Sequence, residues 1–410
     1  MQQWKILMEQ IKLTKITDLE TPCFILDKAE LERSIYGFKD ALDKHFPKNI
    51  IGYSVKTNSL PYCMCLARDM GCYAEVVSHD EYELALLCGY SKDHIIYNGP
   101  MKSKETFLDA IINGAIVNLE AKREVEWLLD LPKNELYNIG IRVNINISNV
   151  APNDAIGEHD FGRFGFSEET DELKNLIKKI ELIPNIQIKG LHLHRSPHTR
   201  SVDFYKKLIN YASKIITKYN LNLNYIDIGG GYFGIFKNKP TYENYSDAIY
   251  DSLKEHNLEK LNVILEPGMA ILGSSFSFVS KIIDSKQIEP NLYIHTTDGS
   301  RNDIDPLFKK TDYLNKIIYS NKTHREVVKE QVITGCSCIE FDKIFTLNEE
   351  QLLTINDTII YKNVGAYTMC LSPLFIRYFP NVYLFEDKSY EIIRKRWTAN
   401  EYIQQSKLIK

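Results

Sequence analysis

The feature that most constrains the fold is a regular alternation of strand-like and helix-like segments from residue 28 to about 275. Short runs rich in Ile and Val, bounded by turn residues, predict strands that are buried on both faces of a parallel sheet. The strand candidates are 50–56, 72–77, 94–98, 115–119, 138–144, 186–192, 225–229 and 261–266. Amphipathic stretches such as DEYELALLCG and SVDFYKKLINYASKIITKY lie between them and predict helices.

Eight strand–helix units over about 240 residues match a (β/α)8 barrel in count and length. An open doubly wound sheet is the alternative, but it usually has fewer strands. We therefore predict an α/β fold with a (β/α)8 TIM barrel over residues 28–275. Later runs such as KEQVITG and FDKIFTL are short and punctuated by turn residues. They predict a second, mostly antiparallel β-domain built from residues 1–27 and 276–410.

Charge and composition exclude several classes of partner. The 410 residues carry 50 basic and 54 acidic side chains, well mixed, for a net charge of -4. This balance argues against nucleic acid and anionic membrane surfaces. No apolar run approaches the roughly 18 residues that span a bilayer, and the N-terminus lacks a signal-peptide core. The eight cysteines lack the spacing of a structural zinc site, so we expect no metal, and reduced thiols indicate a cytoplasmic protein.

Reactive side chains stand at the ends of several predicted strands. In a barrel of this class, the C-terminal ends of the strands build the active site. Here those ends carry Lys56, Glu75, Arg142, His194 and Glu266. Because a lysine is costly to bury, Lys56 after a buried strand indicates a site that opens on solvent or on a ligand. A solvated lysine is the simpler interpretation of Lys56 alone, but the accumulation of reactive groups favours a functional site.

The sequence DIGGGY places Gly229, Gly230 and Gly231 directly after a predicted strand. Glycine lets backbone N–H groups approach a phosphate closely, and helix N-termini favour anions. A flexible turn is the alternative interpretation. In combination with a strand-end lysine, the glycines suggest a phosphorylated aldehyde cofactor that is held as an imine.

An ordered set of motifs gives the chain a family resemblance. The motifs are TPCFILD, YSVKTN, YAEVVSHDEYELAL, GRFGF, GLHLH, DIGGGY, LEPG, GCSCIEFD and VGAY, between residues 21 and 367. The chain resembles the fold-type III pyridoxal-phosphate (PLP) amino-acid decarboxylases, which include ornithine, diaminopimelate, arginine and carboxynorspermidine decarboxylases and have an alanine racemase-like barrel. The resemblance implies a PLP-dependent carboxy-lyase with an amino-acid substrate, assembled as a homodimer with shared active sites.

The resemblance also implies a role for individual barrel residues. Lys56 corresponds to the lysine that forms the internal aldimine, and His194 to the histidine stacked on the cofactor ring. Glu266 corresponds to the carboxylate that faces the pyridine nitrogen. Gly229–Gly231 correspond to the phosphate loop, and Glu75 occupies an acidic position that is usually Asp in the family.

Two further roles fall outside the barrel. Tyr367, in VGAY, corresponds to a tyrosine that contacts the cofactor. Cys338, in GCSCIEFD, corresponds to a cysteine that enters the partner subunit's active site, where it would reprotonate the product carbon as a positioned acid. A small buried hydrophobe is the commoner fate of a cysteine, and only the flanking motif favours function at Cys338.

Two departures from the family pattern affect the predicted site. Many relatives read EPGR, with an arginine on the cofactor phosphate, where this chain has Met269. Phosphate binding would then depend on the glycine loop and Tyr367, with Arg195 or Ser196 as additional candidates. Ornithine and diaminopimelate decarboxylases carry an acidic residue after the cysteine, which reads the distal end of the substrate, where this chain has Ile339. The recognition of the distal end of the substrate is therefore expected to differ from that of these two enzymes. Asp298, Arg301 and Ile339 are the candidate substrate-binding residues, and a solvated loop is the alternative interpretation of residues 296–306.

Two other functions remain as alternatives. A racemase of the same fold typically has an arginine at the ring nitrogen and a tyrosine as second base, so Glu266 and Cys338 favour decarboxylation. A non-catalytic homologue that binds a partner protein is the second alternative. The intact Lys56 and glycine loop argue against it.

Overall fold

The structure is a computed structural model that describes residues 13–157, 160–321, 323–404 and 406–407. Residues 1–12 and 408–410 of the predicted β-rich domain therefore lie outside the described residues. The chain divides into two compact units. One unit is Arg33–Ile271, here called the barrel unit, and the other, the β unit, takes the chain on either side of it.

Eighteen strands are numbered in chain order. They are β1 (Cys23–Asp27), β2 (Asn49–Ser54), β3 (Tyr73–Ser78), β4 (Ile95–Met101), β5 (Ile116–Leu119), β6 (Tyr137–Asn144), β7 (Phe166–Ser167), β8 (Ile186–His192), β9 (Tyr225–Gly229), β10 (Asn262–Leu265), β11 (Phe276–Glu289), β12 (Leu292–Thr297), β13 (Asn315–Ile318), β14 (Val327–Thr334), β15 (Lys343–Gln351), β16 (Thr358–Lys362), β17 (Asn381–Glu386) and β18 (Ser389–Arg394).

The described residues contain twelve α-helices. They are α1 (Lys28–Asp43), α2 (Pro61–Asp69), α3 (His79–Leu87), α4 (Lys104–Ile112), α5 (Lys122–Trp127), α6 (Ile147–Val150), α7 (Glu172–Glu181), α8 (Val202–Lys218), α9 (Tyr242–Glu255), α10 (Gly268–Leu272), α11 (Arg301–Ile304) and α12 (Ala399–Ile403). None of them is long and apolar enough to cross a membrane.

The barrel unit contains a closed barrel of eight parallel strands. The order is β2-β3-β4-β5-β6-β8-β9-β10, and β10 pairs with β2 to close it. The predicted fold class is therefore confirmed, and each of the eight strand candidates overlaps one barrel strand. The short strand β7 pairs with β6 as an addition to the barrel. Because all strands are parallel, their C-terminal ends meet at one mouth of the barrel.

One strand ends earlier than predicted. Residues 50–56 were predicted as a single strand, but pairing with β3 stops at the register pair Ser54–Glu75. The next three residues, Val55–Thr57, form a turn of 3-10 helix. Lys56 therefore lies in a tight turn just beyond the strand end.

The β unit is a mostly antiparallel sheet, as predicted. Its main path runs β15-β14-β12-β11-β1-β17-β18, and β16 pairs with both β11 and β13. Among the described strands of the β unit, only the pairs β1–β17 and β12–β14 are parallel. A buried apolar cluster covers one part of the sheet, and it consists of Leu19, Cys23, Ile25, Val279, Ile360 and Tyr383.

Candidate active site

The amine of Lys56 is held at the barrel mouth by a buried carboxylate. Lys56 Nζ lies 2.5 Å from Glu75 Oε2, which also accepts a hydrogen bond from Ser54 Oγ at 2.8 Å. The Glu75 side chain is almost fully buried, whereas that of Lys56 is 29 % exposed. The amine is thus held by Glu75 and is still accessible to a ligand.

A hydrogen-bonded chain of amides extends from this ion pair into the barrel. Asn98 Nδ2 donates to Glu75 Oε1 at 3.1 Å and to Glu266 Oε1 at 2.6 Å. Asn118 Nδ2 donates to Asn98 Oδ1 at 2.8 Å, and Tyr225 OH donates to Asn118 Oδ1 at 2.8 Å. Asn98, Asn118 and Tyr225 are all buried. Because each amide oxygen is already engaged as an acceptor, the Asn98 amide must present its nitrogen to the two carboxylates.

Three buried polar side chains, His192, Asp227 and Glu266, lie together in the barrel unit. His192 Nε2 is 3.6 Å from Glu266 Oε2, and donor atoms of His192, Asp227 and Glu266 all lie within 4.8 Å of one another. Both ring nitrogens of His192 and Oδ2 of Asp227 have no hydrogen-bond partner within the described part of the chain. Burial and the neighbouring Glu266 raise the pKa of Asp227 well above its ordinary value. Burial and the Arg142 guanidinium lower the pKa of His192, which is therefore neutral.

His194 is fixed by the glycine loop that follows β9. Its Nδ1 accepts a hydrogen bond from Gly230 N at 2.9 Å, which leaves the ring proton on Nε2. Burial and the Arg142 guanidinium lower the pKa of His194 well below its ordinary value, so the ring is neutral. Gly229 has a φ of +73°, and a Cβ there would lie 2.5 Å from His194 Cβ. The loop thus requires glycine at 229 to bring the histidine close.

Arg142 on β6 supports this arrangement from the neighbouring strands. Its Nη1 donates to Glu120 Oε1 at 2.7 Å, and its Nη2 donates to the carbonyl oxygen of His194 at 3.2 Å. Both side chains of the Arg142–Glu120 pair are nearly buried. A buried pair of this kind fixes geometry more than it adds stability.

The two additional phosphate candidates differ in their surroundings. The guanidinium of Arg195 forms an ion pair with Asp160 and also donates to the carbonyl oxygen of Asp160 at 3.2 Å. Ser196 is exposed. The charge of Arg195 is therefore already compensated by a carboxylate.

The remaining predicted residues lie in the β unit. The segment 335–342, here called the cysteine loop, is held against residues 299–301 by Asp342. The Asp342 carboxylate accepts hydrogen bonds from Ser337 N at 3.1 Å, Ser300 Oγ at 2.9 Å and Arg301 N at 2.8 Å. Within the loop, Cys338 is exposed and Ile339 is half-buried.

Asp298 and Arg301 both contact neighbouring groups of the β unit. Asp298 Oδ2 accepts from Thr21 Oγ1 at 2.6 Å, and Oδ1 accepts from Lys281 N at 2.8 Å. Arg301 donates through Nε and Nη2 to Asp305 Oδ2 at 3.0 and 2.9 Å. A substrate that bound either side chain would compete with these contacts.

Tyr367 is exposed and has a φ of +54°. This left-handed conformation is uncommon for a residue with a side chain. It belongs to the β unit, as do Asp298, Arg301, Cys338 and Ile339.

The barrel mouth thus unites the predicted barrel residues: Lys56, Glu75, His194, Gly229, Gly230, Gly231 and Glu266. Sequence reasoning missed Asn98, Asn118, Asp227 and the supporting role of His192. Asp227 and His192 were inside the motifs DIGGGY and GLHLH. Asn98 follows the apolar residues IIY at a predicted strand end, and this position is the sequence feature that could have identified it as a site residue.

Comparison with known proteins decides the family. The model of the pyridoxal-dependent decarboxylases, pyridoxal binding domain, matches residues 29–273, well over half of the chain. The chain belongs to this family. The decarboxylase is accordingly a PLP-dependent carboxy-lyase, and the resemblance inferred from its motifs is confirmed.

The relatives of this decarboxylase match it over most of their length. A probable chloroplastic diaminopimelate decarboxylase of Oryza sativa subsp. japonica is 24% identical over 94% of this chain and 79% of the relative. Diaminopimelate decarboxylase of Aquifex aeolicus is 25% identical over 90% of this chain and 88% of the relative. The crystal structure of diaminopimelate decarboxylase from M. jannaschii with L-lysine superposes with a TM-score of 0.82 at 21% identity, covering 95% and 92% of the two chains.

The residues of the barrel mouth fit PLP. Glu266 offers a buried carboxylate to a ring nitrogen, Lys56 offers an amine to an aldehyde, and His194 offers a neutral ring face. Gly231 has a φ of +101°, a conformation that favours glycine. Gly230 N is already used by His194, so the phosphate would take the N–H groups that follow it in the loop.

Proposed function

We propose that this decarboxylase removes the α-carboxylate of a diamino acid, with diaminopimelate as the leading substrate. The observation that supports decarboxylation is the chain of contacts Lys56–Glu75–Asn98–Glu266, which connects the amine to the carboxylate proposed for the ring nitrogen through one amide. Bound PLP supplies the electron sink for the pair left by departing CO2. Glu266 strengthens that sink because a carboxylate keeps the facing ring nitrogen protonated.

The protein's own groups then have distinct tasks in this proposal. Lys56 Nζ would attach the cofactor covalently, and Glu75 orients this amine. The neutral ring of His194 would pack on the cofactor face. Gly229, Gly230 and Gly231 would form the loop around the phosphate, and Tyr367 is proposed as a further phosphate ligand.

We further propose that Cys338 returns a proton to the product carbon, and that it does so across a homodimer. Two observations support this: the thiol is exposed, and the cysteine loop is fixed by Asp342. An exposed thiol on a fixed loop suits delivery of a proton to a neighbouring subunit. In such a dimer each active site would contain residues of both subunits.

Diaminopimelate is chosen as the leading substrate because the relatives described above are diaminopimelate decarboxylases. Loss of one carboxylate from diaminopimelate gives lysine, the ligand of the M. jannaschii enzyme structure. Ile339 stands at the position where, by the family resemblance, ornithine and diaminopimelate decarboxylases carry an acidic residue. Asp298 and Arg301 are therefore proposed as distal substrate ligands, and each would exchange a present contact for the substrate.

Product analysis tests the proposal. Purified protein with added PLP is incubated separately with diaminopimelate, lysine, ornithine and arginine, and CO2 and the remaining amino acids are measured. We expect CO2 and lysine from diaminopimelate and none with Lys56→Ala. Inversion of an amino acid with its carboxylate retained would instead identify a racemase. An unreactive protein that binds no PLP would favour the non-catalytic alternative.

A further inference from the structure

Arg200 presents a charged guanidinium at the end of the loop that follows β8. Its Nη1 lies 3.0 Å from Met269 Sδ, and its guanidinium carbon lies 5.3 Å from the ring centre of Phe233. A thioether is only a weak acceptor, and a cation–π contact does not neutralise the charge. Within the described ranges, no carboxylate lies within ion-pair distance of this guanidinium. The charge is thus available to an anion.

The backbone at Arg200 is held in place by a buried tyrosine. Tyr245 OH donates to the carbonyl oxygen of Arg200 at 2.8 Å and accepts from Phe233 N at 3.3 Å. Arg200 has a φ of +53°, a conformation that non-glycine residues adopt only when their surroundings stabilise it. The same hydroxyl therefore ties Arg200 to the segment that leaves the glycine loop.

The glycine loop and the loop after β8 also approach each other directly. A Cβ at Gly231 would lie 3.1 Å from Pro197 Cδ and 3.2 Å from Tyr205 OH. Tyr205 OH in turn donates to the carbonyl oxygen of Gly230 at 3.3 Å. The two loops are therefore in contact at Gly231. The Arg200 guanidinium contacts Met269, which directly follows the LEPG segment.

We propose that Arg200 binds the cofactor phosphate through its guanidinium, in place of the side chain at position 269. The inference rests on the proposed role of the glycine loop as the phosphate cradle. A guanidinium fork matches phosphate oxygens in geometry and charge, whereas methionine offers no donor. Arg195 is less suited because its charge is compensated by Asp160.

A comparison of two ligands isolates the phosphate contact. Cofactor-free protein is titrated with PLP and with pyridoxal, which lacks the phosphate, and the imine absorbance is followed. We expect Arg200→Met to weaken PLP binding by roughly 10- to 100-fold while pyridoxal binding changes by less than about threefold. Arg200→Lys keeps the charge but loses the fork, so its PLP affinity should lie between wild type and Arg200→Met.

Two further variants sharpen the test. Lys239 is exposed, and its Nζ lies 4.9 Å from the same Phe233 ring, so Lys239→Met is the matched control and should change PLP affinity by less than about threefold. The exchange variant Arg200→Met with Met269→Arg moves the guanidinium to the other side of the contact. It should recover at least part of the selectivity for PLP over pyridoxal.

The outcomes separate this inference from the proposed function. Equal loss of PLP and pyridoxal affinity in Arg200→Met, or no loss of either, overturns the assignment of Arg200. A selective loss in Lys239→Met alone also overturns it. Borohydride adducts at Lys56 in wild type and variants would then leave the proposed function standing, whereas an adduct absent from Lys56 in wild type would remove the proposed function itself.

Discussion

Asn98 Nδ2 lies 2.6 Å from Glu266 Oε1, and the same nitrogen lies 3.1 Å from Glu75 Oε1. One amide thus joins the carboxylate beneath Lys56 to the carboxylate proposed for the ring nitrogen. Its orientation is set from the barrel interior by Asn118 and Tyr225. The distance between the two carboxylates is therefore controlled by the hydrogen bonds of Asn98, Asn118 and Tyr225.

Replacement of this amide should damage the site without changing side-chain size. Asn98→Asp removes the shared donor and adds a third buried carboxylate, which disfavours all three charges. We expect a lower melting temperature and at least about tenfold weaker PLP binding, since lost hydrogen bonds to charged groups cost about 1.5–3 kcal/mol. Thermal unfolding and PLP titration measure both effects. Asn222→Asp, the same change at an exposed position, is the control, and an equal effect there would contradict this role for Asn98.

The two carboxyl groups Glu266 and Asp227 should respond differently to amide substitution. Glu266→Gln removes the charge proposed to hold the ring nitrogen protonated, so kcat should fall by about 10²- to 10³-fold. Asp227 has a pKa raised well above its ordinary value by burial and by Glu266, so Asp227→Asn replaces one neutral group by another. Its kcat should fall by less than about tenfold. Equal losses in the two variants would show that the charges have been assigned incorrectly.

The raised pKa of Asp227 also predicts a pH dependence of stability. The folded protein keeps a proton on Asp227 that the unfolded chain releases above a pH of about 3.9. Between that pH and the pKa of Asp227 in the folded protein, the free energy of unfolding therefore falls as the pH rises. Asp227→Asn removes this loss, which is at most about 1.4 kcal/mol per pH unit. In cofactor-free protein, the melting temperature of Asp227→Asn relative to wild type should increase between pH 5 and pH 8. Parallel curves for the two proteins would exclude a raised pKa.

The two cysteines of the cysteine loop form a natural pair for testing the proton donor. Cys338 is exposed, whereas Cys336 is partly buried, with its Sγ 3.8 Å from Arg377 Nη1. Cys338→Ala should lower kcat by about 100-fold with little change in KM, and Cys336→Ala by less than about threefold. The reverse order of these losses would point to Cys336 as the functional thiol.

Mixing two inactive variants tests whether active sites are shared. If Lys56 and Cys338 act together across a dimer, Lys56→Ala and Cys338→Ala subunits complement each other in mixed dimers. Random exchange then restores up to about a quarter of wild-type activity, because half of the dimers each carry one intact site. Activity that stays at the sum of the two separate variants would argue for sites contained within one chain.

The fold was predictable because each barrel strand is a short Ile- and Val-rich run with a turn on either side. The residues at the strand ends were predictable for the same reason. The turn at Lys56 was not, since it depends on where the pairing of Ser54 with Glu75 ends. The Asn98–Glu266 contact joins residues 168 positions apart and exists only because the barrel closes. The contact of Arg200 with Met269 arises in the same way, between two loops that the sequence does not connect.

Lys56 is the residue proposed to carry the cofactor, and borohydride reduction followed by peptide mass mapping identifies the lysine that does so. Wild-type protein loaded with PLP is reduced, digested and mapped, with Lys102→Met as a control, since that lysine is buried in an ion pair with Glu124. We predict one reduced pyridoxyl adduct, on Lys56, in both proteins. An adduct on another lysine, or no adduct, would show that Lys56 does not carry the cofactor.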